Sequence, residues 1–226
     1  MRSENPFNAI PPIILGLVVV VVGVEAVLSL ADQGWLGGRT GVGWRSAAIQ
    51  DYGMSPNVIA VIFDQGVWTF DLLKRFVTYP FVHGSFTHAL WGIVLLLALG
   101  KYVAEVLNPV AVIILFLACT IGGALVYGLL SPRNVALIGV FPPVYGLIGA
   151  YTYLMWLTLG RLGENQFRAF SLIIVLLGIM LVYGMVFGSS PTWIAEIAGF
   201  VIGLALAPIL SPGGWGAFVM RIRQRP

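Results

Sequence analysis

Three ionisable side chains, Glu25, His88 and Glu196, fall inside long apolar stretches of this 226-residue chain. Such groups are costly in hydrocarbon and ordinarily face a partner or a cavity. His88 and Glu196 are the pair with chemistry in reach, because an imidazole and a carboxyl that meet can share a proton directly or through a water. The blander alternative keeps Glu196 protonated against a backbone carbonyl and His88 as a satisfied polar core residue. Glu25, about two-thirds along its stretch, could simply reach toward the headgroups. Hydrolysis within a membrane would also need an oxygen nucleophile beside a base, and donors for the developing oxyanion. The hydroxyls to consider are Ser85, on the same stretch as His88, and Ser131 in a loop, and neither has a matching base in the sequence. The single cysteine, Cys119, lies in an apolar run, which excludes an internal disulfide and a cysteine-based metal cluster. No cofactor or metal is expected.

Membrane helices are the elements that must position these groups. Hydrophobic residues make up 59% of the chain and charged residues 9%, whereas a soluble domain is about a quarter charged. The formal charge of +3 does not indicate a nucleic-acid partner, because the arginines stand singly at stretch ends or in the tail 221–226. Six stretches are long enough to span, at about 20 residues per crossing. They run approximately over 10–31, 80–100, 108–130, 136–159, 169–189 and 192–210. The first has small residues at a cleavage-like spacing, Ser29 and Ala31, but its apolar run is too long for a signal peptide. With six crossings, Arg2, Lys101, Arg161, Arg168, Arg221, Arg223 and Arg225 share one side, and the short loops opposite hold only Arg133. That bias places both termini in the cytoplasm. Segment 32–79 has soluble-like composition, with Asp32, Asp51, Asp64, Asp71, Trp35, Trp44 and Trp68. Aromatics mixed with turn formers suggest a structured loop lying on or dipping into the interface. No linker divides the chain, so residues 1–226 read as a single membrane domain.

Pro142 and Pro143 fix where the fourth helix begins. In a helix interior the pair would cost several kcal/mol, while at the first positions the missing amides have no helical partner anyway. The helix is therefore expected from Pro142 to about Leu159. Segment 132–141 then enters the bilayer as non-helical backbone, tolerated only when surrounded by protein or water. Gly199 and Gly203 form a GxxxG on the sixth helix, and Gly146, Gly149 and Ala150 share one side of the fourth, a pattern suited to close helix approach.

Three stretches carry a family resemblance. The segment 75-RFVTYPFVHGSFTHALWGIVLLLALGKYVAE-105 resembles the second helix of rhomboid intramembrane serine proteases, whose pattern reads R-x-x-T-x-x-F-x-H-x-S-x-x-H-x-x-x-N and then G-x-x-x-E. Arg75, Thr78, Phe81, His83, Ser85 and His88 fit it, Glu105 is taken as the closing glutamate, and Gly92 stands at the asparagine. The segments 139-GVFPPVYGLIGAY-151 and 192-TWIAEIAGFVIGLAL-206 resemble the rhomboid fourth and sixth helices, GxSGxxxGLLGAY and AHxxGFxxGxxxA. The departures fall on the chemistry: Phe141 stands at the catalytic serine and Glu196 at the catalytic histidine. Of the four polar catalytic positions only His88 remains.

The resemblance implies an all-α membrane protein, a six-transmembrane-helix rhomboid-like bundle with a long half-buried loop after the first helix. It also implies a pseudoprotease with no catalytic residues, one that binds transmembrane segments instead of cutting them. Expected partners are integral membrane proteins, alone or within a larger membrane complex, and lipid, in a bacterial cytoplasmic membrane. The binding surface is expected on the second and fifth helices and the long loop, and the aromatic patch around Trp35, Trp44 and Trp68 reads equally as an outer-face contact or as a lipid anchor. An active rhomboid-type serine endopeptidase and a small transporter are the competing readings.

Overall fold

The computed structural model describes residues 10–132, 134–188 and 190–223. In chain order its helices are α1 (Pro12–Asp32), α2 (Gly38–Gly41), α3 (Trp44–Tyr52), α4 (Pro56–Phe63), α5 (Phe70–Leu73), α6 (Arg75–Thr78), α7 (Phe86–Val106), α8 (Pro109–Leu130), α9 (Phe141–Arg161), α10 (Ser171–Phe187), α11 (Trp193–Leu210) and α12 (Gly214–Arg223). The described residues contain no strand beyond an isolated antiparallel bridge between Met54 and Leu137. Of the arginines used for topology, Arg2, Arg133 and Arg225 lie outside the described residues.

Among the described residues, five stretches are long and apolar enough to cross a membrane: α1, α7, α8, α11, and Gln166–Val186, where a 3₁₀ turn runs into α10. The remaining long helix, α9, is less apolar because it carries prolines, glycines, threonines and tyrosines, and it occupies the centre. Every residue from Pro142 to Ala150 is buried, so neighbours surround the first half of α9 on all sides. The main core joins Ile14 and Val18 of α1, Leu96 and Val103 of α7, Leu115 and Phe116 of α8, and Leu147 and Ile148 of α9.

Helix ends follow local chemistry. The expected second span over 80–100 is displaced to Phe86–Val106 because Ser85 caps α7, its hydroxyl accepting the His88 amide at 3.2 Å. Residues 75–81 form a separate short helix and a 3₁₀ turn before that cap. At the other end, Asn108 caps α8, accepting from the Ala111 amide at 2.9 Å with Pro109 at the first helical position.

The 32–79 segment is a folded layer of short helices, not an open loop. Val58, Ile59 and Ile62 of α4 are buried with Tyr79, Tyr127 and Leu137 in a second cluster against α8. The layer is tied to α1 by ions. Glu25 is 4% exposed and does not reach for headgroups, correcting the sequence expectation. Its carboxylate receives the Arg45 guanidinium at 2.8 and 3.0 Å and the Ser29 hydroxyl at 2.7 Å. Arg45 also pairs with Asp32 at 2.6 Å and donates to the His83 carbonyl at 2.8 Å. The Glu25 bond is the main reason the guanidinium of Arg45 is held above its ordinary pKa. A paired buried carboxylate of this kind is tolerated where an isolated one would not be.

Candidate functional site

The site is assembled where the approach to α7, the segment before α9, and the start of α11 converge. Arg75 and Thr78 anchor that approach. Arg75 donates to the Gly53 carbonyl at 3.0 Å and to the Gln50 carbonyl, and the Thr78 hydroxyl donates to the Tyr52 carbonyl at 3.2 Å. Together they cover the open carbonyls at the C-terminus of α3, where a cation is also favoured by the helix dipole. The R-x-x-T pair is thus a clamp between the end of α3 and α6, on the approach to α7. Phe81 packs on Phe116 of α8, with ring centroids 6.2 Å apart.

His83 is fully buried, and its Nε2 accepts the Val140 amide at 3.3 Å, which fixes the neutral tautomer with its proton on Nδ1. The segment before α9 is pinned at two further amides: Leu137 exchanges backbone bonds with Met54, and the Gly139 amide donates to the Tyr79 carbonyl at 3.0 Å. Gly139 has φ +90°, a conformation that favours glycine, and a Cβ there would lie 2.9 Å from the His88 ring. Residues up to Val140 are non-helical, and Phe141 opens α9 with Pro142 and Pro143 in its first turn, one residue earlier than the sequence suggested. The helix also runs two residues beyond the expected end, to Arg161.

His88 stacks on Phe141, with centroids 4.9 Å apart and planes at 12°. Its Nδ1 accepts the Gly84 amide at 3.3 Å, and its ring lies edge-on to His83 at 5.3 Å. The ring therefore faces an aromatic plane at the position the family resemblance assigns to the serine hydroxyl. Gly92 lies beneath: a Cβ there would be 2.6 Å from Val140 Cγ1 and 3.3 Å from His83 Nε2. The valine fills the space a larger side chain would take.

Glu196 and His88 do not meet, so the pairing weighed from sequence is replaced by two separate contacts. The side chain of Glu196 is instead coupled to that of Tyr145. Tyr145 is one turn after Phe141 on α9, so successive turns of one helix hold the imidazole and the carboxyl in turn. Glu196 sits in the first turn of α11, where the helix dipole favours a negative charge. Sequence reasoning missed Tyr145, although its i, i+4 spacing from Phe141 would have marked it. It also missed Arg45 as the partner of Glu25.

The two hydroxyls considered as nucleophiles have other work. Ser85 is the α7 cap, and Ser131 ends α8, its side chain bonded to Tyr127. The glycine seam forms as expected. A Cβ at Gly203 would collide with the Gly146 carbonyl, one at Gly199 with the Pro142 carbonyl, and one at Gly149 with the Phe200 carbonyl. Trp44 lies over Gly37, and Trp68 meets Phe63 edge to face at 5.6 Å; Trp68 is 61% exposed. Glu105 is exposed near the end of α7 and follows Gly100 by five residues where the G-x-x-x-E spacing asks four, so that correspondence is one residue out of register.

The arrangement is an inward-facing polar cluster on a rhomboid-like frame. A family model described as the Rhomboid domain matches residues 71–213, well over half of the chain, and takes in Arg75, His83, His88, Gly92, Phe141, Tyr145 and Glu196. The chain therefore belongs to the rhomboid family and is an integral membrane protein. No curated protein matches it.

Proposed function

We propose that this chain is a rhomboid-fold pseudoprotease that holds transmembrane segments of other proteins without cutting them, as an accessory subunit, assembly factor or quality-control adaptor. The observation that carries the reading is the stack of His88 on Phe141, at the position the family resemblance assigns to the nucleophile. A phenyl ring cannot attack a carbonyl, and peptide cleavage needs an activated oxygen there. Oxyanion donors are also depleted, since the Gly139 and Val140 amides are bonded internally and Pro142 and Pro143 have none. The second and fifth long helices, α7 and α10, and the aromatic surface around Trp44 and Trp68 are the proposed contact face. Their exposed side chains, among them Trp91 at 61% and Met185 at 76%, support that placement. The lysine and arginine bias supports both termini on the cytoplasmic side.

Purification of the tagged protein in mild detergent, followed by quantitative mass spectrometry, tests the reading. It predicts a membrane-protein partner retained in fixed stoichiometry. Recovery of the chain with lipid alone, from cells expressing it at native level, would contradict it.

A further inference from the structure

Between α10 and α11 a cleft of about 210 Å³ opens, lined by Met180, Tyr183, Gly184, Thr192, Trp193 and Glu196. Glu196 is half-buried and lines the cleft. Arg45 pairs with Glu25 and Asp32, Lys74 with Asp71 and Arg168 with Glu164, and Glu196 takes part in no ion pair among the described residues. Beside the cleft, Val175, Gly178, Ile179, Val182, Tyr183 and Val186 form a shallow groove along α10 at helical spacing. Nothing approaches Gly178 within 4 Å of where a Cβ would stand. Tyr183 lines both features, so the groove runs into the cleft. Residues 175–186 rise about 16 Å at 1.5 Å each, roughly three turns of a helix laid alongside.

We propose that a partner's transmembrane helix lies in the α10 groove and inserts one lysine or arginine side chain into the α10–α11 cleft, with Glu196 as its counter-charge. The inference deepens the binding function proposed above and rests on it. The cleft has room for one long side chain and not for a helix, so the apolar groove takes the helix and the acidic cleft selects it. A cation carried at membrane depth is expensive for the partner alone and is relieved by a carboxylate in an apolar surround. Because Glu196 lies in the first turn of α11, the partner's basic residue belongs about one turn inside the end of its own span.

The probe is a set of labelled 21-residue polyleucine transmembrane peptides, one unmodified, one with a single lysine a turn from its end, and one with glutamate there. Association with the full-length protein in liposomes is read by energy transfer. The lysine peptide should bind at least tenfold more tightly than the unmodified one, and the glutamate peptide no better than the unmodified one. Glu196→Gln should remove the lysine preference while leaving the unmodified peptide unaffected. Gly178→Leu, which fills the groove and leaves Glu196 in place, should weaken all three. Equal binding of lysine and leucine peptides, or a lysine preference that survives Glu196→Gln, overturns the proposal. The two readings separate: if a co-purified native partner stays bound to Glu196→Gln and no lysine preference exists, the cleft falls and the binding function stands. If a lysine preference exists and no native partner is retained, the cleft stands and the binding function falls.

Discussion

The α9–α11 seam and the α10 helix are built from similar apolar, glycine-containing sequence, yet one is locked and the other hardly held. Along the seam, glycines at 146, 149, 199 and 203 let backbone touch backbone, and α9 is buried on all sides through its first half. Along α10, Ile174, Val175, Ile179, Leu181, Val182, Tyr183, Met185 and Val186 are each more than half exposed, and Ile173 near its start is a buried anchor. The 3₁₀ turn Gln166–Phe170 and α9 are what it rests on. Packing, not hydrophobicity, separates them, because lipid is as apolar as leucine and rewards only close fit. A seam that cannot open suits a scaffold, and a helix with a free face suits an interface.

The locked side should break first and hardest. Arg45→Ala would strand the buried Glu25 carboxylate, and the expected loss is about 3–5 kcal/mol in a mixed-micelle unfolding titration. The double variant Glu25→Ala, Arg45→Ala should lose less than Arg45→Ala alone; an equal or larger loss would mean the pair contributes nothing by its coupling. Gly203→Ala forces a methyl against the Gly146 carbonyl and should cost about 1–3 kcal/mol by the same titration. Gly178→Ala on α10 meets nothing within 4 Å and should be neutral or stabilise by up to about 1 kcal/mol. If the two alanines behaved alike, the contrast between seam and free helix would fail.

Much of this was legible in the sequence, for physical reasons that can be named. Two prolines can open a helix and cannot sit inside one, so the start of α9 could be placed to within one residue. The glycines at 199 and 203 fall on one helix face, so the seam could be read from spacing. The family resemblance marked Phe141, Gly92 and Glu196 as departures, but not what they would touch. Glu25 and Arg45 are 20 residues apart with two turns between them, and only the path of the chain into α3 brings them together. The stack of His88 on Phe141, and not on Glu196, depends on where α9 begins relative to α7. The exposure of α10 left no trace in composition, since an apolar helix reads alike whether protein or lipid covers it.

The most direct test of a binding function without cleavage is to incubate the unmodified protein with a model rhomboid substrate and a fluorophosphonate probe. The variant Phe141→Ser, Gly92→Asn, Glu196→His is run beside it. Loss of an oxyanion donor alone typically costs ~10²–10³ in rate, and an asparagine at position 92 has no room beside Val140, whose Cγ1 would be 2.6 Å from its Cβ. The unmodified protein should neither cut nor label, and the triple variant should give at most a trace of product. Clear, inhibitor-sensitive cleavage by the unmodified protein would contradict the pseudoprotease reading and send the search for a nucleophile to Ser131 and Ser85.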